Sequence, residues 1–184
     1  MARGGSPTDA VDPGPLMSHP EGMAWPQTHL ACPTAIIEAP TETVWGLLLD
    51  TAAWGRFYDV RVLSVEPPGP ARPGQRLIGN PGPRFLPLRL VFDFTEVDST
   101  NHRLGIDGLL PFGIRAREDM RITPLDARRC RVTYNCDFRL PGGVWGRLLA
   151  LLIGRGLDTG PADSLMRLKR EAERALEREG GAQG

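Results

Sequence analysis

The chain has 184 residues, with 22 Lys and Arg against 22 Asp and Glu and a formal net charge of zero. That balance argues against a dedicated nucleic-acid surface, and the longest apolar run, residues 148–153, is far too short to cross a bilayer. A chain of this length makes one ordinary domain with room for a core and a cavity.

Residues 1–26 carry Pro7, Pro13, Pro15, Pro20 and Pro26 among Gly, Ser and Asp, without apolar periodicity. Such a composition buries too little surface to offset its ordering entropy, so it reads as a disordered tail. The basic start and apolar stretch of a secretory signal are missing, which makes the cytoplasm the expected location. Met17 and Met23 both stand as alternative starts. The Gly-rich residues 180–184 read as a second tail, leaving 27–179 as the domain.

An extended segment runs into Pro40, and Pro at the first helical turn followed by Glu42 is a good helix start. Val44, Leu47 and Leu48 then form an apolar stripe at helical spacing, and a second short helix carrying Trp54, Phe57 and Tyr58 follows Asp50. Short strands are predicted at 60–66 and 75–80, punctuated by Pro67-Pro68-Gly69-Pro70 and Pro73-Gly74. Leu88, Leu90, Phe92 and Phe94 then share one face opposite Arg89, Val91, Asp93 and Thr95. A strand at 102–108 follows the polar turn 98–101. Ile114, Ala116, Glu118, Met120 and Ile122 next oppose Arg115, Arg117, Asp119, Arg121 and Thr123; Cys130, Val132, Tyr134, Cys136 and Phe138 oppose Arg131, Thr133, Asn135, Asp137 and Arg139. Sustained alternation of this kind means an antiparallel sheet with one wet face, and no intervening helix suggests a parallel fold.

The C-terminal third changes period. Residues 144–153 are almost wholly apolar, and Leu165, Leu168, Ala172, Ala175 and Leu176 recur at helical spacing. Gly154, Gly156 and Gly160-Pro161 predict a kink or break in one long helix. Cys32, Cys130 and Cys136 form no C-x-x-C. The last two stand roughly 20 Å apart on one strand at 3.3 Å per residue, too far for a disulfide. All three are expected as reduced, packed thiols.

Ile37-Glu38-Ala39-Pro40-Thr41-Glu42-Thr43-Val44-Trp45, the following apolar residues, Asp50, Trp54 and Phe57-Tyr58 resemble the opening of the START-like (SRPBCC) superfamily, which includes polyketide cyclase/dehydrase and lipid-transport members. The ending, Leu165-Met166-Arg167-Leu168-Lys169-Arg170-Glu171-Ala172-Glu173, is similar to that of its members. The resemblance implies an α+β helix-grip fold. A curved antiparallel sheet of about seven strands would wrap a long C-terminal helix, with two short helices after the first strand and a ligand cavity between sheet and helix.

Glu118 is the one charged residue on the apolar face of its strand and must sit near water or be buried with a partner. If the turn 124–128 closes a simple hairpin, Glu118 falls opposite Tyr134 or Cys136. A carboxylate–phenol pair in an apolar pocket raises the carboxyl pKa and makes Glu118 and Tyr134 the candidate catalytic residues. A structural Glu held by a backbone group or an arginine is the plainer alternative. Candidate ligand-binding residues are Tyr58, Leu90, Phe92, Ala116, Met120, Cys136, Trp145 and Leu149, with packing the other role of Tyr58. Trp45 and Trp54 read as core. Arg76 is a further candidate if its strand turns it inward, and Arg147 either snorkels outward or salt-bridges across the entrance.

His19, His29 and His102 are scattered, without H-x-x-x-H or a pair beside a carboxylate. This speaks against the iron site of the superfamily's oxygenases, so no metal is expected. No dinucleotide or P-loop glycine pattern and no G-x-S-x-G elbow is present, so no cofactor or covalent nucleophile is expected. Three functions stay open. The first is binding of a hydrophobic small molecule (lipid, quinone or polyketide-like metabolite) in the cavity. The second is a polyketide cyclase/aromatase-like enzyme acting by substrate positioning with help from Glu118 and Tyr134. The third is an interaction module using the outer arginines Arg115, Arg117, Arg121, Arg131 and Arg139. A homodimer stays open as well.

Overall fold

The computed structural model describes residues 28–82 and 86–181. The expected tail at 1–26 lies outside them, as do residues 182–184. Strands β1 (Thr28–Ala31) and β2 (Thr34–Ile37) precede helix α1 (Thr41–Leu49), and a 3-10 helix, Thr51–Arg56, follows. Then come β3 (Arg61–Glu66), β4 (Arg76–Asn80), β5 (Leu90–Asp98), β6 (Arg103–Leu109), β7 (Arg115–Pro124), β8 (Cys130–Arg139) and helix α2 (Gly143–Gly181). All strands join one antiparallel sheet in the order β1-β8-β7-β6-β5-β4-β3, with β2 also paired to β8. This is the α+β architecture the pattern predicts. The opening strand is split because Cys32 and Pro33 interrupt it, while the Pro33 carbonyl still accepts the Tyr134 amide at 2.9 Å. Register shifts between Val62 and Ser64 and between Phe94 and Glu96 mark bulges, which bend and twist a sheet.

Helix α1 begins as its sequence dictates: the Pro40 carbonyl accepts the amide of Thr43, and Glu42 lies in the first turn. Its Val44, Trp45 and Leu48 are buried. The inner sheet face presents Leu90, Phe92, Phe94, Leu104, Ile106, Ile114, Ala116, Met120, Ile122, Val132 and Phe138 to the core. Helix α2 packs on β1, β2, β8 and α1 through buried Leu149, Leu157, Leu165, Leu168 and Ala172.

Of the expected kink or break, a break does not occur: α2 is one continuous helix, as expected, with Pro161 inside it. Proline removes one backbone hydrogen bond and crowds the preceding turn, yet Pro161 is buried, as are Leu157, Ser164 and Leu165 of the same stretch, so packing holds the helix together. Gly154 serves close approach instead of a break. A Cβ there would lie 3.1 Å from the His29 ring, whose Nδ1 is 2.9 Å from Asp158 Oδ1. Cys130 and Cys136 are buried free thiols as expected, whereas Cys32 is exposed because it sits in the interruption between β1 and β2.

Candidate functional site

The site grows from the β7–β8 hairpin. Its register sets Glu118 opposite Cys136 and Met120 opposite Tyr134, so Glu118 and Tyr134 share the inner face one step apart. Tyr58 comes from the other side. The 3-10 helix is anchored where the Trp54 indole N–H donates to the Leu48 carbonyl at 3.0 Å, and the Tyr58 amide donates to the Trp54 carbonyl at 2.7 Å. Tyr58 then stacks on Trp54, ring centres 4.8 Å apart and 7° from parallel, with Phe92 meeting it edge-on at 5.7 Å.

The result is a triangle of oxygens. Tyr58 Oη lies 2.5 Å and Tyr134 Oη 2.8 Å from Glu118 Oε2, and the two hydroxyls are 2.6 Å apart. All three residues are buried, Glu118 with 4% of its surface exposed. Proton counting on this triangle is informative. If the carboxyl is ionised, both phenols donate to Oε2 and the Tyr58–Tyr134 edge has no proton, leaving lone pair against lone pair. A proton on Glu118 supplies the third edge and closes the ring. Burial pushes the Glu118 carboxyl above the ordinary carboxylate range, although the Tyr58 and Tyr134 hydroxyls favour the charged form. Burial, then the neighbouring Glu118, holds both phenols well above the usual tyrosine value. Burial also raises the Cys136 thiol. At neutral pH the tyrosines are therefore hydrogen-bond donors. Glu118 Oε1 takes no hydrogen bond from any described residue.

Leu90, Phe92, Ala116, Met120, Cys136 and Leu149 are all buried. Trp145 is not enclosed: it is 49% exposed and meets Phe112 edge-on at 6.4 Å. Arg76 faces outward, its guanidinium bonded to both Asp93 oxygens at 2.6 and 2.9 Å, which removes it from the site. The alternation of β4 puts Leu77 inside and Arg76 outside. Arg147 lies on the exposed face of α2. Trp45 and Trp54 are core residues.

A groove of about 790 Å3 reaches Tyr58 between the 3-10 helix and the β3–β4 edge, lined by Gly55, Asp59, Val60, Val62, Asn80 and Pro81 among others. This opening lies to the side of the sheet–α2 space in which a cavity is expected. Asn80, buried within it, bridges the Leu86 carbonyl at 2.9 Å and the Gly82 amide at 2.7 Å. Sequence reasoning did not single out these lining residues. Asn80 was the one findable signal, a polar side chain at the end of a short strand. Among the described residues no group of three or more His, Cys, Asp or Glu converges as a metal site needs, and no helix is long and apolar enough to cross a membrane.

Residues 33–173 match the family model for polyketide cyclase/dehydrase and lipid transport. No curated protein matches the chain. Among solved structures, a protein from Thermus thermophilus is 22% identical with a TM-score of 0.63, covering 80% of this chain and 99% of that one. The Zhui aromatase/cyclase from Streptomyces sp. R1128 is 17% identical with a TM-score of 0.61, covering 82% and 96%. Norcoclaurine synthase from Thalictrum flavum, solved with dopamine and hydroxybenzaldehyde, is 14% identical with a TM-score of 0.59, covering 88% and 96%. At these identities the likeness is one of fold.

Proposed function

The chain belongs to the polyketide cyclase/dehydrase and lipid transport family, and we propose that its domain, residues 27–179, binds an apolar small molecule carrying a carbonyl or hydroxyl oxygen. The observation that carries this reading is the Tyr58–Glu118–Tyr134 triangle, a polar point whose neighbours on the inner sheet face are the buried Phe92, Ile106, Ala116, Met120 and Cys136. Pockets for apolar metabolites have this composition: a greasy lining and a few placed polar groups. A ligand oxygen entering the triangle accepts from a phenol or takes the carboxyl proton, so an edge of the ring is exchanged without stranding a buried donor.

A second reading, cyclase/aromatase-like catalysis, is favoured by the same carboxyl. A buried carboxyl whose pKa is raised by burial suits acid–base work on a ketone or enol. In an intramolecular aldol closure, Glu118 passes its proton to the carbonyl oxygen that becomes the hydroxyl. The carboxylate so formed takes a proton from the attacking α-carbon, and the count balances. Two relatives in fold are an aromatase/cyclase and a synthase solved with dopamine and hydroxybenzaldehyde, which lends the phenolic and polyketide-like classes weight as candidates.

The test is mass spectrometry of solvent extracts from the gently purified protein and from Ala116→Trp, which sets a large side chain on the inner face two residues from Glu118. A compound at near-stoichiometric amount in the wild type alone supports binding. Equal amounts in both proteins, or no binding of any apolar ketone or phenol by either, sinks it. Glu118→Gln then separates the two readings: loss of turnover with retained ligand marks catalysis, while a shift in affinity without turnover marks carriage.

A further inference from the structure

The first three turns of α2 turn an apolar side outward. Val144 is 83%, Leu151 84% and Leu152 68% exposed, and Trp145 and Leu148 complete the stripe. Helical spacing puts the centre of this stripe opposite the buried Gly146 and Leu157, with the buried Leu149 along its border. Phe112, at the β6–β7 connection, extends the stripe through its contact with Trp145. Phe112 is 52% exposed and is held at φ 65°, a left-handed conformation that bulky residues rarely adopt. A contiguous apolar patch of this kind is the sort that soluble domains keep where it has a use, and a backbone held in a disfavoured conformation points the same way.

Charge and size identify what covers it. No acidic residue occurs between Asp137 and Asp158, a span that includes Arg139, Arg147 and Arg155. Among the described residues Arg147 and Arg155 make no ion pair, and Asp158, where the acids resume, is bonded to His29. The stripe runs about 12 Å at 1.5 Å per residue on a cylinder about 10 Å wide. Its area is therefore on the order of a few hundred Å2, short of the roughly 800 Å2 per partner of a stable protein interface. A two-fold pairing would also set arginine against arginine. An apolar helix face with an aromatic residue and arginine flanks suits the headgroup boundary of a lipid layer.

From this surface we infer that the first half of α2, with Phe112, docks the domain on a bilayer containing anionic lipid. The register gives the docking a direction. Asn80, Leu90, Leu109, Arg115, Arg139 and Thr28 lie at one end of the sheet, the end from which α2 departs. The groove reaching Tyr58 is lined by Asn80, Pro81 and Gly82, so it opens at that end as well. The inference stands independently of what the groove holds.

The experiment is flotation of the full chain with vesicles of phosphatidylcholine alone and of phosphatidylcholine with one quarter phosphatidylglycerol. Binding to the anionic vesicles, weakened by salt, is expected. Leu151→Ser/Leu152→Ser should lower the partition coefficient about tenfold or more through lost apolar burial. Arg147→Glu/Arg155→Glu should abolish the preference for anionic lipid. All four side chains are exposed, so circular dichroism and melting should match the wild type. Equal binding by wild type and the serine variant, or none to either vesicle, overturns the inference. So does a concentration-dependent dimer, seen by light scattering, that the serine variant converts to a monomer.

Discussion

Replacing Glu118 with Gln tests the proton ring directly. With the carboxyl protonated, three protons serve three oxygen–oxygen edges of 2.5, 2.6 and 2.8 Å. A Gln oxygen in the place of Oε2 accepts from both phenols but supplies no third proton, so one edge is lost. A single net hydrogen bond is about 1 kcal/mol, which sets the destabilisation expected near pH 4. The pH dependence is the sharper test. Burial raises the folded-state pKa of Glu118 above the unfolded value of roughly 4.3. The folded chain therefore holds the proton more tightly. The stability linked to it is fully present below the unfolded pKa and is lost as pH rises through the folded one. Between those two values wild-type stability should fall relative to Glu118→Gln by up to about 1.4 kcal/mol per pH unit, then level off. Urea unfolding of both proteins, followed by circular dichroism across acid and neutral pH, gives this difference directly, because groups common to both cancel. A difference that stays flat, or that grows with pH, would mean an ionised Glu118 in the folded state and would refute the ring.

Tyr58 and Tyr134 are the only tyrosines, both buried with raised pKa values. The native protein should show no tyrosinate absorbance where free tyrosine titrates, near pH 10; the signal should appear together with unfolding, since stability linked to these phenols is lost as pH rises. Gly146→Ala would drive a Cβ into the Pro141 carbonyl oxygen, so the start of α2 must shift, at about 1–3 kcal/mol read from the thermal midpoint. Trp54→Ala removes the platform under Tyr58 and should destabilise by about 3–5 kcal/mol in urea titration, with ligand affinity falling in any variant that still folds. Arg76→Ala should leave ligand affinity unchanged in a calorimetric titration, because its partner Asp93 lies with it on the outer face.

Strand alternation is local physics: a side-chain period of two decides which residues of β7 and β8 face inward, and a short hairpin decides their register. Glu118 and Tyr134 were therefore legible as a pair before any coordinates, as were the start of α1 at Pro40 and the apolar row of β5. The partnership of Tyr58 was not, because Tyr58 and Glu118 are 60 residues apart and meet only when the 3-10 helix folds over the sheet. Composition leaves kink or break open at Gly154 and Pro161, since breakers end helices only if nothing else holds them. Packing of α2 on β1 and β2 overrides that preference, and Gly154 turns out to be the space that admits His29. Within the apolar run at 144–153, Trp145 and Leu149 read alike as candidate ligand-binding residues, although Leu149 is buried and Trp145 is half exposed, since periodicity cannot tell which side of an apolar helix is covered. The sequence by itself determined the strands, their faces, the helix-grip order and one carboxylate in an apolar row, all set by contacts between near neighbours. The tertiary structure alone decided the proton ring, the groove beside the 3-10 helix and the exposed face of α2, because each depends on which distant surfaces come together and which are left over.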